Sequence, residues 1–207
     1  MRLYWHPFSL FPRRIRIALH EKGLACEDVI VDLPGGALQT PEFRRLNPFG
    51  QVPVLEDDGL ILYESIAILE YLEERHPTPA LLPVRDPIAR ARTRQLMLAS
   101  GDYLISPFHR WLAQFFTPEA SWDRADQLRA RDEIGQHLDV LETTLHDGRD
   151  YLTGAFSLAD VCYAPFTCEL ETARLGPLLA ERRRVCAWVD RLNARPSLPA
   201  TRPQPLA

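Results

Sequence analysis

The chain has 207 residues, 46% of them hydrophobic, and a formal net charge of −4. This composition favours a folded protein with a sizeable core over a disordered chain. Lys and Arg number 24 against 28 Asp and Glu, so neither nucleic acid nor an anionic membrane surface is an expected partner. No stretch approaches the roughly 18 apolar residues of a membrane span, and no signal-peptide pattern opens the sequence. We therefore expect a cytoplasmic protein.

The first third of the chain has a β-α-β pattern. Residues 2–6 and 27–32 are predicted strands, and residues 13–23 form a predicted helix with Pro12 in its first turn and Gly23 just past its end. Residues 52–56 and 60–63 flank a turn sequence and predict a β-hairpin. The second hairpin strand leads into a helix over residues 64–77, which stops at Pro77.

Prolines cluster between residues 77 and 87 and predict a stiff linker. We expect a first domain over residues 1–77, a linker over 78–86 and a helical domain over 87–207. Its predicted helices cover residues 87–116, 122–147, 157–175 and 178–194, followed by an irregular proline-rich tail. Ser157 and Asp160 have the spacing of a capping box, which is a folding element. The fold class is α/β plus all-α, a mixed sheet packed by helices followed by a helix bundle, and a thioredoxin-like first domain fits it.

The four cysteines show no C-x-x-C pair and no metal-ligand spacing with histidine. They predict reduced thiols and no metal site; they are Cys26, Cys162, Cys168 and Cys186.

Three segments together resemble the marker segments of cytosolic glutathione transferases of the serine-dependent type, such as the bacterial, zeta, phi and theta members. They read LYWHPFSLFPRRIRIALHEKGL, PEFRRLNPFGQVPVLEDDGLILYESIAILEYLEE and FSLADVCYAPF. The resemblance covers essentially the whole chain. It implies a first domain that binds glutathione as co-substrate, a helical domain that holds a small hydrophobic electrophile, a homodimer and a role in detoxification.

Ser9 is the predicted catalytic residue. It lies at the mouth of the first helix, where backbone N–H groups and the helix dipole favour an anion such as a thiolate. In the serine-dependent classes the catalytic hydroxyl lies five residues before the first Arg of a run like RIRIAL, which here is Arg14. The alternatives are that Ser9 only caps the helix, or that Tyr4 activates the thiol. His6 is interpreted as a structural or rim residue.

The resemblance also implies which residues bind glutathione. Val52 precedes Pro53, which is expected to be cis, so that the Val52 backbone pairs with the cysteinyl part of glutathione. Ser65 and Glu64, at a helix start, are expected to receive the γ-glutamyl carboxylate and ammonium, although an ordinary helix cap gives the same pattern. Gln51 is expected to contribute.

Gln39 departs from the family pattern. Similar proteins often have a His or Lys near this position for the glycyl carboxylate of glutathione, whereas Gln39 can donate only a neutral hydrogen bond. Charge-assisted bonds are stronger, so we expect weaker glutathione affinity unless Arg44 or Arg45 compensates.

The second-substrate pocket is predicted only weakly, from aromatic residues. The candidates are Phe8, Phe11, Phe108 and Trp111, although aromatic residues at helical spacing are more often core. Phe49, in the sequence NPFG, is a candidate dimer anchor because a related position contacts the partner subunit in some classes.

Conjugation of glutathione to an electrophile is the predicted reaction. Glutathione-dependent isomerisation or dehalogenation would use the same thiolate with a different second pocket. A non-catalytic scaffold of the same fold is the third alternative, and retention on glutathione resin would distinguish it from an enzyme.

Overall fold

The structure is a computed structural model that describes residues 1–202. It divides into two compact units. The first contains Met1–Leu82 together with the described residues from Pro196 onward, and the second is Pro83–Arg195. The first unit ends at Leu82, within the segment 78–86 expected as a linker, whereas the described residues from Pro196 onward, expected in the helical domain, belong to the first unit.

The strands of the first unit form a mixed four-stranded sheet in the order β2-β1-β3-β4. β1 pairs with β2 in parallel and with β3 antiparallel, and β3 pairs antiparallel with β4. This is the predicted thioredoxin-like arrangement. The strands are β1 (Arg2–Trp5), β2 (Glu27–Ile30), β3 (Val54–Asp57) and β4 (Leu60–Tyr63).

The strand register brings four chain segments to one edge of the sheet. Val54, at the start of β3, lies opposite Tyr4 in β1 and Tyr63 in β4, and Tyr4 also lies opposite Val29 in β2. The segments that follow β1, β2 and β4 and the segment that precedes β3 therefore leave the sheet on the same side.

Helices cover both faces of this sheet. α1 buries its apolar stripe of Ile15, Ala18 and Leu19 and packs against α3, while α2 contributes Phe43 to a cluster with Val54 on the other side. The alternation of strand side chains between faces accounts for this division. The helices are α1 (Leu10–Glu21), α2 (Pro41–Leu46), which follows a 3₁₀ turn at Ala37–Gln39, and α3 (Ser65–Arg75).

The segment predicted as an irregular tail contains a short helix, α10 (Ser197–Ala200), and packs on α1. Arg13 donates to the Leu198 carbonyl at 3.3 Å, and Ser197 donates to the Glu21 carboxylate, one of whose oxygens lies 2.5 Å away. The prediction was wrong because these partners lie on α1, far away in sequence. The remainder of the predicted tail, residues 203–207, lies outside the described residues.

The second unit is mostly helical, as predicted. Its first helical stretch contains a π-helical segment at Ser100–Ile105 between two α-helices, and 3₁₀ turns lie at Ala113–Phe115 and Glu119–Ser121. The helices are α4 (Pro87–Ala99), α5 (Ser106–Leu112), α6 (Arg124–Thr144), α7 (Leu158–Thr167), α8 (Gly176–Ala180) and α9 (Arg183–Asn193). No helix within residues 1–202 has the length and apolar character needed to cross a membrane.

Two of the predicted helices were too long. The helix predicted over residues 157–175 ends at Thr167, and the one predicted over 178–194 is divided into α8 and α9. The division has a long-range cause, because Glu142 of α6 accepts hydrogen bonds from the backbone N–H groups of Arg184 and Val185 at 2.9 Å each. A new helix start is thereby stabilised within the predicted continuous helix.

The predicted capping box of α7 is present. Asp160 accepts from the Ser157 backbone N–H at 2.9 Å, and its other oxygen accepts from Leu152 and from the Trp188 indole at 3.0 and 2.9 Å. The Asp160 carboxyl is completely buried, and burial raises its pKa. This side chain therefore joins α7 to α9 and to the segment before α7.

Candidate functional site

The predicted binding residues of the first unit lie at the sheet edge where the four segments converge. Ser9 follows β1, Gln39 follows β2, Val52 and Pro53 precede β3, and the segment after β4 starts α3 with Ser65. These positions lie at the same sheet edge because β3 runs antiparallel to both of its neighbours. Such an edge, carrying two helix starts and loop backbone, can bind an extended polar ligand.

Ser9 occupies the N-cap position of α1, with extended backbone angles of φ −96° and ψ 118°. Its backbone N–H donates to the His6 carbonyl at 2.9 Å. Its hydroxyl makes no capping hydrogen bond to the helix in the part of the chain that the structure describes. A helix cap would use the Ser9 hydroxyl as an acceptor for a helix N–H group. The absence of that bond argues against the interpretation of Ser9 as a simple helix cap.

The Tyr4 hydroxyl is already bonded to a carboxylate. Its hydroxyl donates to the Glu56 carboxylate at 3.0 Å. Burial, followed by the interaction with Glu56, raises the pKa of the phenol. A hydroxyl that already donates to a carboxylate is a poor donor to a thiolate, so the geometry disfavours Tyr4 as the activating group.

The Val52-Pro53 peptide bond is cis, as expected. Asn47, which is 2% exposed, holds the preceding loop by donating its side-chain amide to the Gln51 carbonyl at 2.8 Å. Gly50, at φ +62°, approaches so closely that an added Cβ would lie 2.8 Å from the Leu38 carbonyl oxygen. The loop before β3 is thus tightly fixed.

The start of α3 contains an unusual backbone conformation. Glu64 has φ 71° and ψ 113°, a region that non-glycine residues rarely adopt and that is found mainly where function requires it. The Glu64 side chain makes no capping bond among the described residues. The first N–H groups of α3 therefore lack a side-chain cap of their own, which leaves them suited to a carboxylate.

Arg14 connects this helix start to α1, a contact that the sequence did not predict. Its guanidinium is 1% exposed, donates to the Ser65 hydroxyl at 3.2 Å and lies 5.1 Å from the ring centroid of Phe11. Because Ser65 accepts this bond, its own O–H remains able to donate to a ligand. The sequence had given Arg14 only as a motif position, with no indication of its partner 51 residues away.

Gln39 is exposed and lies beside Arg44. Arg44 donates to the Gln39 side-chain oxygen at 2.5 Å and to the Pro48 carbonyl at 2.6 Å. An arginine can only donate, so the amide oxygen of Gln39 faces it and the amide NH₂ group is directed elsewhere. A positive charge therefore stands next to the glutamine that replaces the expected basic residue.

The four aromatic pocket candidates have very different surroundings. Phe8 is 64% exposed and Phe11 is half-buried. Phe108 is fully buried and packs edge to face on Phe166, with centroids 5.8 Å apart, and Trp111 donates its indole N–H to the Ala173 carbonyl at 2.7 Å. Phe108 is therefore a core residue of the second unit, and the prediction that it lines a pocket was wrong because helical spacing alone does not distinguish the two roles.

None of the four cysteines forms a disulfide among residues 1–202. Burial raises the pKa of Cys26 to about 11 and also raises the pKa of Cys186, so neither is an activated nucleophile. Within residues 1–202 no group of three or more His, Cys, Asp or Glu side chains is placed to hold a metal ion.

Comparison with known proteins assigns both parts of the chain. Residues 3–80 match the family model described as glutathione S-transferase, N-terminal domain, and residues 104–196 match glutathione S-transferase, C-terminal domain. The chain is 36% identical to maleylacetoacetate isomerase of Pseudomonas aeruginosa, over 98% of this chain and 96% of that protein.

Solved structures agree with this assignment. Glutathione transferase F7 from Populus trichocarpa has a TM-score of 0.88 and 30% identity, covering 97% of this chain and 96% of its own. Glutathione S-transferase-I bound with lactoylglutathione has a TM-score of 0.87 and 28% identity, covering 97% of both chains.

Proposed function

This chain belongs to the glutathione S-transferase family, and from that premise we propose that it binds glutathione at the sheet edge of the first unit and ionises its thiol beside Ser9. The observation that carries the proposal is a serine hydroxyl at the start of α1 that makes no capping bond to the helix among the described residues. A relative of known structure binds a glutathione derivative, lactoylglutathione, which supports the choice of ligand.

Each polar part of glutathione has a proposed partner at this edge. The γ-glutamyl carboxylate is bound by the Ser65 hydroxyl and the first N–H groups of α3, with Glu64 facing the ammonium group. The Val52 backbone pairs with the cysteinyl residue like an added strand, with Gln51 beside it. The Gln39 amide donates to the glycyl carboxylate, and the neighbouring Arg44 guanidinium supplies positive charge.

Thiol activation then requires preferential stabilisation of the thiolate. A free thiol has a pKa of about 8.5, and lowering it by about two units corresponds to roughly 2.7 kcal/mol. A hydroxyl hydrogen bond to the charged sulfur, together with the dipole of α1, supplies a stabilisation of this order. Ser9 acts as the donor, and the sulfur keeps its nucleophilic lone pairs.

We expect Ser9→Ala to raise the thiol pKa of bound glutathione by one unit or more and to lower kcat by about tenfold to a hundredfold. The ultraviolet absorbance of the thiolate, followed against pH, measures the first effect. Ser9→Thr keeps a hydroxyl and is the matched control, with most of the activity retained. Bound glutathione with an ordinary thiol pKa in the unaltered protein would contradict the proposal.

The second substrate is proposed to be a small apolar electrophile, to which the thiolate adds. The exposed Phe8 and the half-buried Phe11, both close in sequence to Ser9, are the proposed aromatic contacts. Trp111 remains a candidate only through its indole face, because its N–H is bonded to Ala173.

Isomerisation is the second candidate reaction, favoured by the 36% identity to a protein named maleylacetoacetate isomerase. There the thiolate would add to a conjugated double bond, rotation would follow, and elimination would regenerate glutathione. Incubation with maleylacetoacetate and, separately, with 1-chloro-2,4-dinitrobenzene distinguishes the two. Conjugation consumes one glutathione per turnover, whereas isomerisation leaves its concentration unchanged.

A homodimer anchored by Phe49 is also proposed. Phe49 is 64% exposed and contacts only the edge of the Tyr63 ring among the aromatic pairs described, at 5.8 Å between centroids. Burying such a side chain at an interface is worth about 1.5–3 kcal/mol. We expect Phe49→Ala to weaken self-association at least tenfold in sedimentation equilibrium, whereas Phe116→Ala, at a side chain that is 75% exposed, leaves it unchanged.

The cytoplasm is the proposed location. The thiol state of the four cysteines, with no disulfide among the described residues, is compatible with a reducing compartment.

A further inference from the structure

The loop before Ser9 is a turn held by one backbone hydrogen bond and by the His6 side chain. The backbone N–H of Ser9 donates to the His6 carbonyl at 2.9 Å, which closes a four-residue turn with Pro7 in its second position, where the fixed φ of proline is favourable. The backbone N–H of Phe8 donates to Nδ1 of the His6 imidazole at 3.2 Å. His6 therefore accepts from both N–H groups of the turn.

Apart from the buried Pro7 and the backbone bond that closes it, the turn has the His6 imidazole as its side-chain hydrogen-bond acceptor. The Phe8 side chain is 64% exposed and its ring contacts the His6 ring at 5.4 Å between centroids, tilted by 50°. The Ser9 hydroxyl makes no capping bond to α1 among the described residues. The position of that hydroxyl consequently depends on the backbone of the turn, to which the His6 imidazole contributes a hydrogen bond.

His6 is an unfavourable choice for this position if stability alone is considered. The side chain is 1% exposed, and since Nδ1 accepts a hydrogen bond, Nε2 carries the proton of the neutral ring. Nε2 is buried and has no hydrogen-bond partner among the described residues. A buried donor without an acceptor is destabilising, so an apolar side chain would fill the same space at lower cost.

We propose that His6 is a positioning residue for Ser9: its Nδ1 holds the turn that presents the Ser9 hydroxyl to the glutathione thiol. This inference rests on the proposed function, because it gives His6 a role only if Ser9 is the activating group. The acceptor role requires the neutral imidazole, since a protonated ring has no free lone pair. Burial lowers the pKa of His6, and the Asp32 carboxylate opposes that effect.

The test compares two replacements of His6. Asparagine can accept the Phe8 N–H through its side-chain oxygen, as it does in many turns, whereas leucine fills the space and cannot accept. For His6→Leu we expect the thiol pKa of bound glutathione to rise by about one unit and kcat to fall about tenfold, with KM for glutathione within about threefold. For His6→Asn we expect kcat within about threefold of the unaltered protein.

Two results would overturn the inference: an unchanged thiol pKa in His6→Leu, or equal losses in the leucine and asparagine variants. A merely structural histidine would lower thermal stability or glutathione affinity without moving the thiol pKa. If His6→Leu does not fold, His6→Ala takes its place in the same comparison. Ser9→Ala is measured alongside, because an unchanged thiol pKa there refutes the proposed function, whereas a raised pKa there with none in His6→Leu refutes only the role of His6.

Discussion

Lys22 and Glu73 form a buried ion pair in the first unit. The Lys22 ammonium lies 2.7 Å from the Glu73 carboxylate, and both side chains are almost inaccessible to solvent. Lys22 also donates to the carbonyls of His76 and Pro79, at 2.8 Å each. Glu73 accepts from the backbone N–H groups that follow, those of Leu81 and Leu82. The pair therefore fixes the segment that leaves α3.

Removing one member of this pair is expected to be strongly destabilising. Lys22→Met leaves an uncompensated buried carboxylate, and we expect a loss of about 3 kcal/mol in the free energy of unfolding, measured by urea denaturation. The double variant Lys22→Met with Glu73→Leu should lose less than the sum of the single variants. Arg2→Met breaks the exposed pair with Glu27 and, as control, should cost under about 1 kcal/mol; a similar small loss for Lys22→Met would contradict the argument.

The placement of the proposed site residues was predictable where the signal is local or belongs to a family motif. Ser9 and Ser65 were predicted from the family resemblance together with their places at helix starts, and the structure puts both positions at one sheet edge. The bond from Arg14 to Ser65 and the ion pair of Lys22 with Glu73 span 51 residues each. No periodicity or spacing signal reports which distant partner a charged side chain will find, so these contacts were not predictable from one sequence.

Helix boundaries were likewise predicted where the signal is local and missed where it comes from a distant part of the chain. The start of α7 was predicted because its capping box lies within four consecutive residues. The start of α9 was not predicted, because its backbone N–H groups donate to Glu142 on α6. α10 likewise depends on α1, through Arg13 and Glu21. Helices that begin or end through tertiary contacts are thus the ones that sequence patterns misplace.

At the scale of the whole molecule, stability is expected to depend on pH through a buried histidine of the second unit. His137 on α6 is 7% exposed, its Nε2 lies 3.0 Å from the Tyr163 hydroxyl on α7, and the two rings stack at 5.5 Å. Burial lowers the pKa of His137 from its ordinary 6.5 to about 4. The folded protein therefore keeps this ring neutral where the unfolded chain would protonate it.

The sign of the effect follows from proton linkage. Between pH 6.5 and 4 the unfolded chain binds more protons at His137 than the folded protein does, so the free energy of unfolding falls as pH falls. The stabilisation from keeping His137 neutral is fully present above pH 6.5. About 2 to 3 kcal/mol of the free energy of unfolding is lost by pH 4.5. His6, whose pKa is also lowered by burial, adds to the same trend.

His137→Gln removes the titrating group and keeps a hydrogen-bonding side chain beside Tyr163. Urea unfolding at pH 7.5 and at pH 4.5 should show a loss of stability about 2 kcal/mol smaller in this variant than in the unaltered protein, because the unfolded chain no longer gains a proton there. His146→Gln, at an exposed histidine of the same unit, is the control for the loss of an imidazole that is not buried. An equal pH dependence in His137→Gln and the unaltered protein would show that the buried ring is protonated in the folded state as readily as in the unfolded chain.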